Sequence, residues 1–200
     1  MTDPPHAAGG AGPAPADDDA LLRFFHLAGR LKATPRAGWA LRGIAGPESV
    51  AEHSHRVGLL ALVLAPRAGP PLDAARCVAM ALVHDLAEAL VGDITPFDGV
   101  DADEKRRREE EAMRHLAALA GDDGLLGLWR EYAAAETPEA RFVKELDKLE
   151  TVLQAAEYGS AGGAPHAELE EFWDAAAARL TSAGTRALLD ALRRERDGDG

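Results

Sequence analysis

The sequence predicts an all-α protein, on three observations. Apolar side chains recur every three or four residues in one segment after another, which is the periodicity of helices that bury one face. No run alternates strictly between apolar and polar residues, as a half-buried strand would. Alanine is abundant while aromatic residues make up only 5% of the chain, a composition that suits closely packed helices. At 200 residues, the chain is long enough for one domain with its own core and short for two.

The first helix is predicted to follow an unstructured tail. Residues 1–19 are rich in Pro, Ala, Gly and Asp, so we expect a disordered N-terminal tail and a single folded domain over residues 20–197. Residues 17–34 open with aspartates and carry apolar side chains at helical spacing, which predicts helix one. Pro35 interrupts that helix, and residues 34–49 are predicted to form a loop.

The middle of the chain predicts three more helices. The second begins near Ser49 and ends before Pro66. The third is predicted to run continuously over residues 71–90, and because it is apolar nearly all round we expect it at the centre of the bundle. A turn-rich connection over residues 91–103 leads to a fourth helix over 104–120, whose charges are expected to form a solvated face.

The last third of the chain brings the total to seven or eight helices. A short fifth helix is predicted over residues 123–136. The sixth begins after Thr137 as the N-cap residue, with Pro138 at its first position. A Gly-rich break over residues 159–165 separates it from two amphipathic helices, which we expect to be available for a dimer interface.

Charge and composition argue against several classes of function. The formal net charge of −12 disfavours nucleic-acid binding, which depends on phosphate neutralisation by Lys and Arg. No apolar run approaches the about 20 residues that cross a bilayer, and the N-terminus does not resemble a signal peptide, so we expect no membrane association and a cytoplasmic location. Cys77 is the only cysteine, which excludes an internal disulfide and is compatible with a reducing compartment.

Imidazole and carboxylate side chains interrupt the apolar third helix. The segment ALVHDLAEALVGDITP carries His84, Asp85, Glu88 and Asp93. A buried carboxylate without a partner is costly, and a divalent cation is the usual compensation. On a regular helix His84 and Asp85 point about 100° apart, so one ion would have to lie over the helix edge between them. For this segment alone, a hydrogen-bonded core histidine with surface acids is the alternative interpretation.

Two other helices carry residues that could complete a site. His53 lies in the first turns of helix two, in ESVAEHSHRV, whereas His55 is turned away from it by about 200°. Asp147 lies in the middle of an apolar stripe, in FVKELDKLE. A surface ion pair with Lys144 or Lys148 is the alternative interpretation of that aspartate.

Taken in order, these segments resemble the HD-domain metal-dependent phosphohydrolases, and in particular their 5′-deoxynucleotidase branch. The resemblance covers roughly residues 21–196 and implies a single HD-domain helical bundle. It is carried by five motifs: KATPRAGW, ESVAEHSHRV, ALVHDLAEALVGDITP, EKRRREEEAM and FVKELDKLE.

The resemblance implies a metal centre. The residues that it assigns as ligands of a catalytic divalent cation (Mn, Co, Fe or similar) are His53, His84, Asp85 and Asp147. The groups that it assigns to the substrate or to a second ion such as Mg are Glu88, Asp93 and the backbone carbonyl of Ile94.

The resemblance also implies roles for the loop after helix one. Arg36 and Trp39 match a substrate-facing pair, which some bacterial members carry as adjacent residues and which two residues separate here. Arg36 is then expected to bind the phosphate dianion, and Trp39 to leave no room for a ribose 2′-hydroxyl. The catalytic groups are expected to be Asp85, which acts through the ion, and Glu88, which assists the leaving group or orients water.

The activity implied is hydrolysis of deoxyribonucleoside 5′-monophosphates by a homodimer. Two alternatives stay open from the sequence. One is another HD-type hydrolase acting on dNTPs, cyclic dinucleotides or alarmones, which would need extra cations that the sequence does not place near these motifs. The other is a non-catalytic nucleotide sensor. The presence of all four ligand residues argues against this alternative.

Overall fold

The computed structural model describes residues 17–69, 72–162 and 166–198. Within them the chain forms eight α-helices of ten or more residues, which confirms the all-α prediction and matches its number of longer helices. Two single-turn α-helices and three short 3₁₀ helices (Gly29–Ala33, Ala65–Arg67 and Pro96–Asp98) complete the helical structure of the described residues. In chain order the α-helices are α1 (Asp18–Ala28), α2 (Ala37–Ala40), α3 (Val50–Leu64), α4 (Ala74–Val83), α5 (Glu88–Val91), α6 (Ala102–Ala120), α7 (Asp123–Ala134), α8 (Pro138–Ser160), α9 (His166–Arg179) and α10 (Ala183–Asp197).

The N-terminal segment differs slightly from the prediction. The helix begins at Asp18, two residues before the predicted start of the domain, because the Asp17 carboxylate accepts a hydrogen bond of 2.7 Å from the Ala20 amide and caps it. Residues 1–16 of the predicted tail lie outside the described residues. The loop predicted over 34–49 contains the single-turn helix α2, which the sequence analysis did not predict.

Helix α8 is the helix around which the others pack. Helices α3, α4, α7, α9 and α10 all contact it. Its core face consists of four fully buried apolar side chains, each three residues from the next: Val143, Leu146, Leu149 and Val152. Removing one such aliphatic side chain from water contributes about 1.5–3 kcal/mol. Asp147 therefore lies on the most extensively packed helix of the fold.

The last two helices contribute to this core. Trp173 of α9, Leu180 just after it and Leu189 of α10 are buried in one cluster with the apolar residues of α8. The same chain therefore covers part of their apolar faces, and the dimer interface expected on these helices stays a prediction. Among the described residues, none of the helices is long and apolar enough to cross a membrane.

The predicted continuous helix over residues 71–90 is also wrong. Helix α4 ends at Val83, and a turn of four residues leads into α5. The backbone bonds here span three residues rather than four, from Leu86 to Val83 (3.1 Å) and from Glu88 to Asp85 (3.0 Å). Because three residues then make about one turn, Asp85 and Glu88 lie on the same side of the chain. The angle of about 100° between His84 and Asp85 was estimated for a regular α-helix, whereas both residues lie in this turn.

Candidate metal centre and active site

The four predicted metal ligands meet where α3, the turn after α4, and α8 come together. His53 Nε2 lies 3.4 Å from Asp147 Oδ1 and 3.7 Å from Asp85 Oδ2. His84 Nε2 lies 3.0 Å from Asp85 Oδ2. The ligand atoms of His53, His84 and Asp85 all fall within 4.8 Å of one another. Three separate segments thus bring two imidazoles and two carboxylates to one point.

The hydrogen bonds of the two imidazoles fit a cation at this point. His84 Nδ1 lies 2.7 Å from the Ala81 carbonyl oxygen, which can only accept, so Nδ1 is the donor. His53 Nδ1 likewise donates to the carboxylate of Glu150. Both Nε2 atoms are buried and, within the described part of the chain, have no hydrogen-bond partner. In a neutral imidazole of this tautomer, Nε2 presents a lone pair. Lone pairs that face carboxylate oxygens in this way suit a metal cation placed between them.

Glu150 supports a predicted ligand and was not among the predicted site residues. It is fully buried and holds His53 through Nδ1. Its other oxygen accepts a hydrogen bond of 2.9 Å from Arg56 Nε. Outer carboxylates of this kind fix the tautomer and orientation of a ligating histidine. The signal was the spacing of Glu150, one turn from Asp147 on the face that packs on α3.

Tyr132 of α7 supports the other side of the centre. Its ring packs edge-on against His84 with centroids 5.1 Å apart, and its hydroxyl donates to Asp147 Oδ2 at 3.3 Å. Lys148 Nζ lies 3.1 Å from the same carboxylate oxygen. The ion pair considered from the sequence for Asp147 is therefore present, together with the convergence on the histidines.

Arg36 lies directly on the acidic side of the cluster. Its guanidinium is 3.2 Å from Asp85 Oδ2 and 3.9 Å from Asp147 Oδ1. The chain reaches this position because the Arg36 amide donates to the Glu48 carbonyl (2.9 Å) at an isolated antiparallel bridge between Pro35 and Ser49. Burial lowers the pKa of Arg36, but the surrounding carboxylates outweigh it and the net shift is upward, so the guanidinium stays charged.

Charge also separates the carboxylates into two kinds. Burial acts to raise the pKa of Asp85, yet His84 and Arg36 outweigh it and the pKa falls below its ordinary value. For Glu88, Arg36 and Lys105 act to lower the pKa but do not outweigh the opposing causes. Burial, Asp85 and Asp93 together raise the pKa of Glu88 to about 10, and its Oε2 is buried without a partner among the described residues. The surroundings therefore shift the pKa values of two acids in one cavity in opposite directions.

Asp93 and Ile94 connect the loop after α5 to its neighbours. Asp93 Oδ2 accepts a hydrogen bond of 2.8 Å from the Ala37 amide at the start of α2, which ties this loop to the loop that carries Arg36. The Ile94 carbonyl, predicted as a ligand of a second ion, accepts a hydrogen bond of 2.7 Å from Lys105 Nζ. In this structure an ammonium group occupies that oxygen.

Trp39 forms a fixed wall of the site. It is 2% exposed, and its ring packs at 4.3 Å from Phe172 and 5.3 Å from Tyr158, centroid to centroid. Its indole Nε1 donates to Glu48 Oε1 at 2.9 Å. Burial and Glu150 raise the pKa of Glu48 to about 7. Trp39 is thus held by packing against two aromatic rings and by one hydrogen bond.

A cavity of about 460 Å³ joins these groups, and every predicted site residue except His53 lines it. The expectation that few cations lie near the motifs is wrong. The cavity wall also carries Lys105, Arg106, Lys144 and Lys148. The first two belong to the charge run on α6, which was predicted as a solvated face, and the other two project from α8. All four lie within two of the five motifs, EKRRREEEAM and FVKELDKLE, and the packing of α6 and α8 brings them to one cavity wall.

The comparisons with known proteins agree with this geometry. A family model described as the HD domain matches residues 28–187. The chain belongs to the HD domain family. Membership implies a divalent metal, and the cluster of His53, His84, Asp85 and Asp147 is a group that fits one.

Individual members of the family are similar over most of the chain. A 5′-deoxynucleotidase HDDC2 from Bos taurus is 43% identical over 182 residues, which cover 90% of this chain and 87% of that protein. A conserved hypothetical protein from Pyrococcus furiosus has a TM-score of 0.74 and 31% identity, covering 86% of this chain and 99% of that one. A predicted metal-dependent phosphohydrolase from Magnetospirillum magnetotacticum has a TM-score of 0.64 and 29% identity, covering 90% and 96%.

Proposed function

We propose that this HD domain protein is a metal-dependent 5′-deoxynucleotidase, which hydrolyses deoxyribonucleoside 5′-monophosphates to deoxyribonucleosides and phosphate. The observation that carries the proposal is the convergence of two partnerless imidazole Nε2 atoms with Asp85 and Asp147, beside the buried guanidinium of Arg36. The relative from Bos taurus, similar over nearly its whole length, bears the name of this activity.

The proposed metal ligands are His53, His84, Asp85 and Asp147. This mixed set of imidazole and carboxylate suits Mn, Co, Fe or a similar divalent ion. When bound, such an ion lowers the pKa of water and withdraws charge from a phosphoryl group. A second ion such as Mg at Glu88, Asp93 and the Ile94 carbonyl would have to displace the ammonium of Lys105 from that carbonyl.

Arg36 and Glu88 supply what the phosphate and its leaving group need. The guanidinium of Arg36 stays charged, faces the cavity and can pair with phosphate oxygens through its planar fork. Glu88 keeps its proton near neutral pH and can give it to the sugar 5′ oxygen as the bond to phosphorus breaks. Asp93 uses one oxygen on the Ala37 amide, and its other oxygen can accept a hydrogen bond from the sugar 3′-hydroxyl.

Trp39 is the proposed basis of selection for deoxyribose. Because packing and the bond to Glu48 hold the ring, it cannot move aside for a larger sugar. A ribose 2′-hydroxyl against this ring would lose its hydrogen bonds to water without gaining a partner.

The test of the proposal is a substrate panel with the metal-reconstituted full-length protein. Free phosphate and nucleoside would be measured with deoxyribonucleoside and ribonucleoside monophosphates, dNTPs and cyclic dinucleotides. We expect phosphate and nucleoside to be released fastest from the deoxyribonucleoside monophosphates. Equal rates with ribonucleotides would contradict the selectivity, and no turnover with any metal would favour a nucleotide sensor.

A second candidate substrate class is favoured by one observation, the four extra cations that line the cavity. Lys105, Arg106, Lys144 and Lys148 could neutralise the further phosphates of a dNTP. The same panel separates the two, because a triphosphatase would release phosphate or tripolyphosphate from dNTPs faster than from monophosphates.

We further propose that the protein is a cytoplasmic homodimer. The support for a dimer is a set of apolar side chains on α3 and α4 that are 47–58% exposed: Leu59, Leu62, Val63 and Leu82. Light scattering after size exclusion tests it, since Leu62→Lys is expected to convert a dimer to a monomer without loss of helix content. The reducing cytoplasm is compatible with the buried free thiol of Cys77.

A further inference from the structure

A second cavity adjoins the candidate active site on α8. It has a volume of about 440 Å³ and shares three wall residues with the first cavity, namely Lys144, Asp147 and Lys148. It extends away from the metal cluster towards Arg141 and Arg179. Nothing in the proposed hydrolysis of a monophosphate uses those two arginines.

The cations of this cavity are arranged as one face. Arg141, Lys144 and Lys148 are three and four residues apart, so they lie along one side of α8 over about 10 Å. Arg179, the last residue of α9, completes the cavity wall from the neighbouring helix. A chain with a net charge of −12 thus collects four cations in one small space.

The two carboxylates of the same cavity are already occupied. Glu145 accepts hydrogen bonds from the Thr181 hydroxyl, the Ser182 amide and the Thr185 hydroxyl. Asp147 contacts Tyr132, Lys148 and His53. Neither is free to neutralise the arginines.

Of the four cations, only Lys148 has an anionic partner among the described residues, namely Asp147 at 3.1 Å. Within the described part of the chain, Arg179 makes no hydrogen bond or ion pair, and Arg141 donates only to the carbonyls of Ala135 and Glu136. Lys144 Nζ lies 3.9 Å from the centre of the Tyr132 ring and has no carboxylate within 4.0 Å. Burial, followed by the like charges of Lys148 and Arg179, lowers the pKa of Lys144 although Asp147 opposes the shift. An anion placed among these groups would relieve their mutual repulsion.

We propose that this cavity, lined by Arg141, Lys144, Lys148 and Arg179, is a second anion site that takes a phosphate group. Forked guanidinium groups and ammonium groups together match the oxygens of a phosphate dianion. Two sources supply that chemistry: orthophosphate, or a second phosphate group on a nucleotide whose first phosphate lies in the metal cavity. The proposal stands on this geometry and not on the proposed hydrolysis.

The test measures binding to the metal-free full-length protein, so that it is independent of turnover. Inorganic phosphate would be titrated by calorimetry at constant ionic strength, against wild type, Arg179→Gln and Arg141→Gln. Arg179→Gln is the cleaner variant because, among the described residues, the Arg179 side chain makes no hydrogen bond or ion pair that the substitution would remove. We expect each variant to bind phosphate about tenfold more weakly, the loss typical of one charge-assisted hydrogen bond. Thermal melts would check that both variants are folded.

The matched control is Arg23→Gln, which removes the same charge from an exposed position on α1. It is expected to bind phosphate as the wild type does. Absence of saturable phosphate binding in the wild type would overturn the proposal. So would unchanged binding in Arg179→Gln and Arg141→Gln, or an equal loss in Arg23→Gln, which would mean that only the overall charge matters.

A second titration identifies the source of the phosphate. If the site takes a second phosphate group of a nucleotide, deoxyadenosine 3′,5′-bisphosphate or the 5′-diphosphate binds at least tenfold more tightly than the 5′-monophosphate, and Arg179→Gln removes the difference. If it takes orthophosphate, the monophosphate and phosphate bind together without competing. Competition between them, with no gain from a second phosphate group, would overturn the proposal.

Discussion

His53 and Glu150 form a hydrogen bond between α3 and α8 in which both side chains are fully buried. The Glu150 carboxylate accepts a hydrogen bond from His53 Nδ1, and His53 Nε2 is directed at Asp85 and Asp147. Arg56 lies on the opposite oxygen of Glu150 and compensates its charge. The hydrogen bond between His53 and Glu150 thus determines which nitrogen of His53 carries the proton and which faces the metal cluster.

Glu150→Gln is expected to weaken metal binding about 10- to 100-fold while the protein stays folded, because the amide keeps the shape but loses the charge that orients and polarises His53. Competitive chelator titration with Mn or Co would measure the affinity. Glu157→Gln is the matched control, since Glu157 is also a partner of Arg56 but is exposed. Unchanged affinity in Glu150→Gln would show that His53 needs no such support.

His84→Ala and Asp147→Ala are each expected to lose bound metal, because each removes one of four ligands. Elemental analysis after reconstitution and desalting gives the metal content. His55→Ala is the control: His55 lies two residues from His53 but is exposed, so its loss should leave the metal content unchanged. A variant that retains full metal would remove its residue from the proposed ligand set.

The sequence predicted the fold class and the helix order, because helical periodicity is a local signal. The convergence of His53, His84, Asp85 and Asp147 was implied by the resemblance of five ordered motifs to the HD-domain phosphohydrolases. Prediction from the sequence failed where the outcome depends on tertiary contacts. The break at Val83 is not visible in an apolar run, since the bond from His84 to the Ala81 carbonyl forms only inside the turn.

The cations of the site were missed for a related reason. Lys105 stands in a run of charges that is mostly solvated, and many of its neighbours do pair along α6. Only the position of the Ile94 carbonyl, set by the loop after α5, distinguishes Lys105 from them. Glu150 likewise could not be predicted, because its role depends on a hydrogen bond to His53 of α3, which lies far earlier in the chain. The N-terminal tail and the roles of the site residues stay predictions.

Arg36→Gln is expected to lower kcat/KM for a deoxyribonucleoside monophosphate about 100-fold and to leave the metal content unchanged. The substitution removes a charge-assisted hydrogen bond to the phosphate, which lowers the rate. It also removes a positive charge 3.2 Å from Asp85, and the loss of that charge does not weaken binding of a cation by Asp85. Steady-state kinetics and metal analysis on the same samples separate the two effects. Arg42→Gln, which removes an arginine paired with Glu171, is the control. Loss of metal together with activity would contradict a role in phosphate binding.

Glu145→Gln is expected to destabilise the fold by about 1–3 kcal/mol at pH 7, because the carboxylate joins α8 to the start of α10 through Thr181, Ser182 and Thr185. Burial raises the pKa of Glu145, but these hydrogen bonds outweigh it and the pKa is lowered. Its contribution is therefore complete above the unfolded-state pKa of about 4.3 and is lost as the pH falls through the folded-state value. Urea unfolding should show the gap between wild type and variant at pH 7 and its narrowing below about pH 4. Asp174→Asn, an exposed acid on α9, should show no comparable gap. A gap for Glu145→Gln that persists unchanged into acid would mean that shape, rather than charge, holds α10 in place.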